Sequence, residues 1–271
     1  MLFKKKKCEN CQSEYDVVEA TCPACGTQNE EVQKLRINQN IIWLPWWRQL
    51  LIFLIGILGL QIAATVLSII FLQTLGDTLE ASLTVNALAY VLALGGIAIG
   101  LYPYYKRCLG SFKKWLPYVI GLAGAIAIYL LNAFYGSIIS QFIETTNNEN
   151  ESTAESMLTA YPAISMIMIV ILGPVCEELT YRVGLFSLLK RVNTALAYVV
   201  VAVIFGFIHF NFGAIFGGNI VNELANLPFY MGAGLVMCYL YDKFGLAASL
   251  TAHITNNLIS SLLALFVGAT Q

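Results

Sequence analysis

The chain has 271 residues, 58% hydrophobic and 11% charged, and its mean hydropathy is +0.71. That balance excludes a soluble domain with an ordinary polar surface and makes the lipid bilayer the expected solvent and first partner. A formal net charge of -1 excludes the basic face that a nucleic-acid binder needs to neutralise phosphates, so no nucleic-acid partner is expected.

In chain order, Cys8, Cys11, Cys22 and Cys25 come first, as two Cys-x-x-Cys pairs. Four thiolates in two such knuckles suit one tetrahedral zinc ion. Gly26 follows the second pair and supplies a tight turn there; the first pair has no such glycine. Two disulfides would need an oxidising compartment, and a redox pair would leave its twin without a role. Residues 1–26 are therefore read as a zinc-ribbon-like segment whose four cysteines hold a structural zinc. Cys108, Cys176 and Cys238 lie among apolar residues and read as small buried hydrophobes. Residues 27–48 form a polar linker and an interfacial stretch in which Trp43, Pro45, Trp46 and Trp47 mark a headgroup boundary.

Residues 49–268 carry apolar stretches near 49–72, 83–105, 117–142, 157–177, 194–210, 225–241 and 246–268. Each approaches the roughly 20 residues that a helix needs to cross a hydrocarbon core, and the absence of period-two alternation argues against a barrel. The expected fold is all-α, a polytopic transmembrane bundle of about seven helices preceded by a small zinc ribbon. Lys and Arg are retained on the cytoplasmic side. Lys4 to Lys7, Arg36, Arg48, Lys106, Arg107, Lys113, Lys114, Lys190, Arg191 and Lys243 all fall before or between the same alternate segments. The remaining loops carry Asp77 and Glu80, or Glu144, Glu149, Glu151 and Glu155. The N-terminus is thus expected in the cytoplasm of a multi-pass cell-membrane protein. No secretory signal fits the polar stretch Met1 to Asn40, and the acidic loop from Thr145 to Glu155 reads as a solvated connector. Gln61, Asn86 and Asn132 read as interhelical hydrogen-bond formers.

Ionisable side chains inside a bilayer cost roughly 2.5–3.5 kcal/mol each on insertion scales, which makes them functional candidates by default. Glu177, Glu178 and Arg182 interrupt the fourth apolar stretch, just after Gly173 and Pro174. Glu178 and Arg182 stand four apart, on one helix face and in the order that favours pairing. Glu177 points about 100° away from them, and a carboxylate without a partner in an apolar site is a stronger base than one in water. The two histidines of the chain, His209 and His253, both fall in later apolar stretches. His253 and Asn257 lie one turn apart and can address one oxygen atom, and Phe205 lies one turn before His209, where it can pack beneath that ring. A Glu–Arg pair alone is more often structural, and a lone histidine in a membrane helix more often bonds a neighbouring helix. Two carboxylates, two histidines and an amide on three helices point to a shared wet cavity.

Glu177-Glu178-x-x-x-Arg182, Phe205-x-x-x-His209 and His253-x-x-x-Asn257 resemble, in order, the three motifs of the CPBP intramembrane protease family, which includes CAAX prenyl endoproteases and bacterial relatives linked to bacteriocin maturation and self-immunity. The resemblance covers a motif core of 155–268. It implies peptide-bond hydrolysis inside the bilayer, with Glu177 and His209 activating water, His253 and Asn257 stabilising the oxyanion, and Glu178 with Arg182 fixing the helix and the field. The implied substrate is a hydrophobic or membrane-tethered peptide, with a cytoplasmic partner for the ribbon. Glu177, His209 and His253 could instead hold a catalytic zinc, but no His-Glu-x-x-His helix is present, and Asn257 suits an oxyanion donor, so the metal-free glutamate mechanism is favoured. The competing readings are a catalytically silent scaffold or immunity factor that binds a partner, and a proton-coupled transporter.

Overall fold

A computed structural model of the chain describes residues 5–17, 19–30, 40–76, 78–102, 104–144 and 146–268. Lys4, Arg36, Asp77 and Thr145, used above for orientation and loop limits, lie outside the described residues. Two three-residue strands, β1 (Lys5–Lys7) and β2 (Glu14–Asp16), pair antiparallel with Lys6 opposite Tyr15. The rest is helical, built on α1 (Trp46–Leu75), α2 (Leu79–Leu101), α3 (Leu116–Ile139), α4 (Glu149–Ala160), α5 (Pro162–Lys190), α6 (Thr194–Phe207), α7 (Ile220–Phe244) and α8 (Leu246–Gly268). Among the described residues, five helices, namely α1, α2, α3, α5 and α7, are long and apolar enough to cross a membrane. Helix α6 has 14 residues, and α8 carries His253, Asn256 and Asn257 within its 23 residues.

Apolar side chains face outward on the long helices: Ile62 on α1, Ile99 on α2, Leu130 and Phe134 on α3, all more than half exposed. In water such a surface would be costly, whereas against lipid tails it is neutral, so packing inside the bundle rests on close contact and on polar groups. The inner layer gathers around α5, where Tyr181, Val183 and Phe186 are buried with Ile52, Phe205 and Met237 from α1, α6 and α7. Two glycines let α1 reach α5. A Cβ on Gly56 would run into the Thr180 side chain, and one on Gly184 would lie 2.9 Å from the Phe53 nitrogen and 3.2 Å from the Gln49 carbonyl.

Helix α5 does not end at residue 177 as expected. It passes through the carboxylates and runs to Lys190, with π-helical turns at Met168–Leu172 and Glu178–Phe186. The carboxylates interrupt the hydropathy but not the helix, because their charge is answered inside the bundle. Beyond Glu177 the helix therefore advances by about 20 Å, and α6 returns by a similar rise. Ring pairs Phe186–Tyr198 (5.1 Å) and Tyr181–Phe205 (5.7 Å) fix this antiparallel register. The same pairing, extended, places position 209 opposite Glu177, in keeping with the cavity whose wall holds both. The acidic loop is exposed over most of its described length, as a solvated connector would be, but it is not irregular. From Asn148 it becomes α4, capped by the Asn148 side chain accepting from the Glu151 nitrogen at 2.9 Å, with Glu149 and Glu151 in the first turn.

Candidate active site and metal centre

The first π-helical turn prepares the site. Gly173 N–H donates to the Met168 carbonyl, five residues back, so the next bond in that register would run from Pro174 to Ile169. Proline has no N–H to give. The Ile169 carbonyl instead accepts from Asn257 Nδ2 of α8 at 2.9 Å, which ties α8 to α5 one turn from His253. π-Helical turns inside α-helices recur at functional sites because they displace side chains from the regular spacing.

From α5, Glu178 is fully buried and accepts from His253 Nδ1 at 3.0 Å, while Arg182, also fully buried, pairs with the same oxygen at 3.2 Å. The guanidinium lies over the Phe205 ring at 4.7 Å and donates to the Gly234 carbonyl at 3.4 Å. Glu177 turns the other way. Its Oε2 has no hydrogen-bond partner among the described residues and stands 3.7 Å from His253 Nε2. The His209 ring meets the edge of Phe205 at 5.2 Å. The structure thus brings together Glu177, Glu178, Arg182 and His253 by direct contacts, His209 through Phe205, and Asn257 through a shared cavity wall. A cavity of about 520 Å³ has Glu177, His209, His253 and Asn257 in its wall. A second, of about 960 Å³, touches Glu177, His209 and Asn257 and extends to Gln61, Asn86 and Tyr90. Among the described residues Asn86 bonds its own helix, donating to the Ser82 carbonyl at 2.9 Å, and no bond to another helix is found.

Several polar residues of this region escaped the sequence reading. Tyr230 of α7 stacks on His209 at 4.3 Å and 23° and donates to Asn148 Oδ1 and Glu151 Oε1. Asn148 Nδ2 donates to the His209 carbonyl at 3.2 Å. Glu223, buried near the start of α7, accepts from the Glu149 and Asn211 nitrogens. Burial raises the Glu151 carboxyl above the ordinary carboxylate range. One signal was legible: Asn148 followed three residues later by Glu151 is a helix-start pattern. An aromatic residue such as Tyr230, inside an apolar run, carries none.

At the N-terminus the four cysteine sulfurs lie within 4.8 Å of one another, with Cys8 to Cys25 and Cys11 to Cys22 both at 3.5 Å. Sulfurs around a tetrahedral zinc with bonds of about 2.3 Å would be roughly 3.8 Å apart, so the donor set fits such an ion. Hydrogen bonding to Thr27 pulls the Cys25 thiol down to about 6, and bonding to Ser13 lowers Cys22, toward the thiolate a metal requires. Gln12 follows Cys11 at φ 56°, where Gly26 follows Cys25 at φ 75°. The first knuckle therefore makes the same left-handed turn without a glycine. Cys108, Cys176 and Cys238 are buried, as expected.

No curated protein and no solved structure matches the chain. One protein family does. Its model, described as Type II CAAX prenyl endopeptidase Rce1-like, matches residues 159–259, the stretch from the end of α4 into α8. With five helices able to cross a membrane, the chain reads as an integral membrane protein. Glu177, His209 and His253 all lie in the part of the chain that matches the Rce1-like CAAX prenyl endopeptidase family model.

Proposed function

We propose that the chain is an intramembrane endopeptidase that hydrolyses a peptide bond in a hydrophobic or membrane-tethered peptide. The observation that carries this reading is Glu177, an acceptor oxygen without a protein partner in the wall of a cavity it shares with both histidines. Glu177, with His209, takes a proton from water as its oxygen attacks the carbonyl carbon, then returns that proton to the leaving amine as the C–N bond breaks. Asn257 spends one amide hydrogen on Ile169 and keeps the other for the oxyanion. His253, held through Nδ1 by Glu178, turns Nε2 toward Glu177 at 3.7 Å and acts with Asn257 at the oxyanion. Such preorganised donors in a dry site are usually the largest single contribution to acyl-transfer catalysis.

The ribbon holds a structural zinc, since four cysteine ligands leave no open position. The test is peptidomics of membranes with wild-type and Glu177→Gln protein, beside metal analysis of a ribbon-deleted sample. Uncut peptides accumulating in the variant, at equal protein level, support the reading. Identical peptide profiles, together with a cellular phenotype that survives Glu177→Gln and His209→Ala, would leave the scaffold or immunity role.

A further inference from the structure

We infer that Tyr230 is the positioning residue of His209, and that α4 holds Tyr230 in place; this rests on the endopeptidase reading for its catalytic consequence but not for its geometry. His209 lies two residues past the end of α6, in a connection and not in a helix. Neither of its ring nitrogens has a hydrogen bond to protein among the described residues. A general base or metal-binding histidine is ordinarily aimed by a carboxylate or carbonyl on its second nitrogen. Among the described residues two rings hold the imidazole instead: Phe205 in a T-shaped contact at 5.2 Å and Tyr230 stacked at 4.3 Å.

Stacking alone fixes the plane of the imidazole and leaves its direction loose, so the tyrosine must itself be fixed. Its hydroxyl reaches Glu151 Oε1 at 3.2 Å and Asn148 Oδ1 at 3.3 Å. Asn148 closes the circuit by donating to the His209 carbonyl. Glu223 secures both ends, holding Asn211 just after the histidine and Glu149 at the start of α4. Glu151 and Tyr230 also belong to the cavity wall that contains Glu177 and both histidines. The polar helix α4 that the chain places between two spans thus serves as the outer support of the imidazole.

The experiment uses full-length protein in proteoliposomes, labelled at histidine with ¹³C and ¹⁵N. With two histidines in the chain, the His209 signals are assigned by difference against His209→Gln. The Tyr230 ring current shifts those signals in the wild type, and Tyr230→Leu should move them to the position of an unstacked imidazole. Cleavage of a membrane peptide should then show kcat down about 10- to 100-fold with KM little changed, the usual cost of a lost orienting partner. Tyr230→Phe keeps the stack and loses the anchor, so it should retain the ring-current shift with a smaller loss of kcat. Glu151→Ala should match it, and Glu151→Gln, which keeps the acceptor, should restore the wild-type rate. If Tyr230→Leu fails to accumulate, the Tyr230→Phe and Glu151 series decides by its kcat pattern. Unmoved His209 signals in Tyr230→Leu, or a raised KM with unchanged kcat, would overturn the inference. Shifted signals in a protein that cuts no peptide would sink the endopeptidase reading and leave the positioning intact.

Discussion

Two neighbouring carboxylates in one apolar helix separate cleanly by what each touches. Glu178 is enclosed between Arg182 and His253, so replacing it by Leu leaves a buried guanidinium and an imidazole N–H unanswered. Removing one partner of a buried pair costs about 3–5 kcal/mol. Among the described residues both carboxylates keep an Oε2 without a hydrogen-bond partner, but the ion contact of Glu177 is the longer one, 3.7 Å to His253 Nε2, so Glu177→Gln should hold stability within about 1 kcal/mol of wild type while abolishing peptide cleavage. Unfolding in mixed micelles and peptide cleavage, measured on both variants, check this. Equal destabilisation by the two would mean that Glu177 is a second structural anchor and not the base. The sequence placed these residues through the four-residue spacing of Glu178 and Arg182. It was silent on the second duty of Asn257, because the Ile169 carbonyl is released only by a π-helical turn meeting a proline.

Helix α5 carries the carboxylates only because α1 comes close enough to brace it. At Gly184 the neighbours of an added side chain would be the backbone atoms of Phe53 and Gln49, which cannot rotate away. Gly184→Val should cost about 1–3 kcal/mol from overpacking, or somewhat more. Gly95 of α2 faces open space, and Gly95→Ala should be neutral or slightly stabilising, since alanine is the better helix former by about 1 kcal/mol. Unfolding curves of the two variants decide this; equal effects would show that the α1–α5 contact is loose. The apolar runs made α1, α2, α3 and α6 legible, because lipid-facing and core-facing residues are alike in a membrane helix. Where a helix carries polar groups for a local purpose, the same signal fails. Glu177 to Arg182 hid the second half of α5, Asn222, Glu223 and Asn226 hid the first turns of α7, and the polar sequence of α4 left its helix marked by the Asn148 cap signal alone.

Among the described residues the ribbon meets the bundle through ion pairs that include Asp16 to Arg191 at 3.2 Å and Glu19 to Arg107 at 2.7 Å. Arg191 follows directly on the end of α5 and also donates to Gln49 and to the Leu44 carbonyl; Arg107 also donates to the Trp43 carbonyl. Burial raises the Glu19 carboxyl, and Arg107 draws it back down, so this pair is a contact under load, not a free surface bridge. The segment Ile41 to Leu44 is buried in the main core, which sets the boundary for any truncation before it. Deleting Met1 to Asn40 therefore takes Asp16 and Glu19 away while leaving the two arginines their backbone partners. The core should remain folded and cut peptide, with unfolding stability lower by about 1–3 kcal/mol, the range for losing hydrogen-bonded charge partners at a partly buried contact. Asp16→Asn with Glu19→Gln in the full chain should reproduce most of that loss and should speed amide exchange in β1 and β2. If the truncated protein folds normally yet cuts nothing, the ribbon takes part in the chemistry or delivers the substrate. If the double variant changes neither exchange nor stability, the buried apolar contact of Val17, and not the charges, holds the ribbon in place.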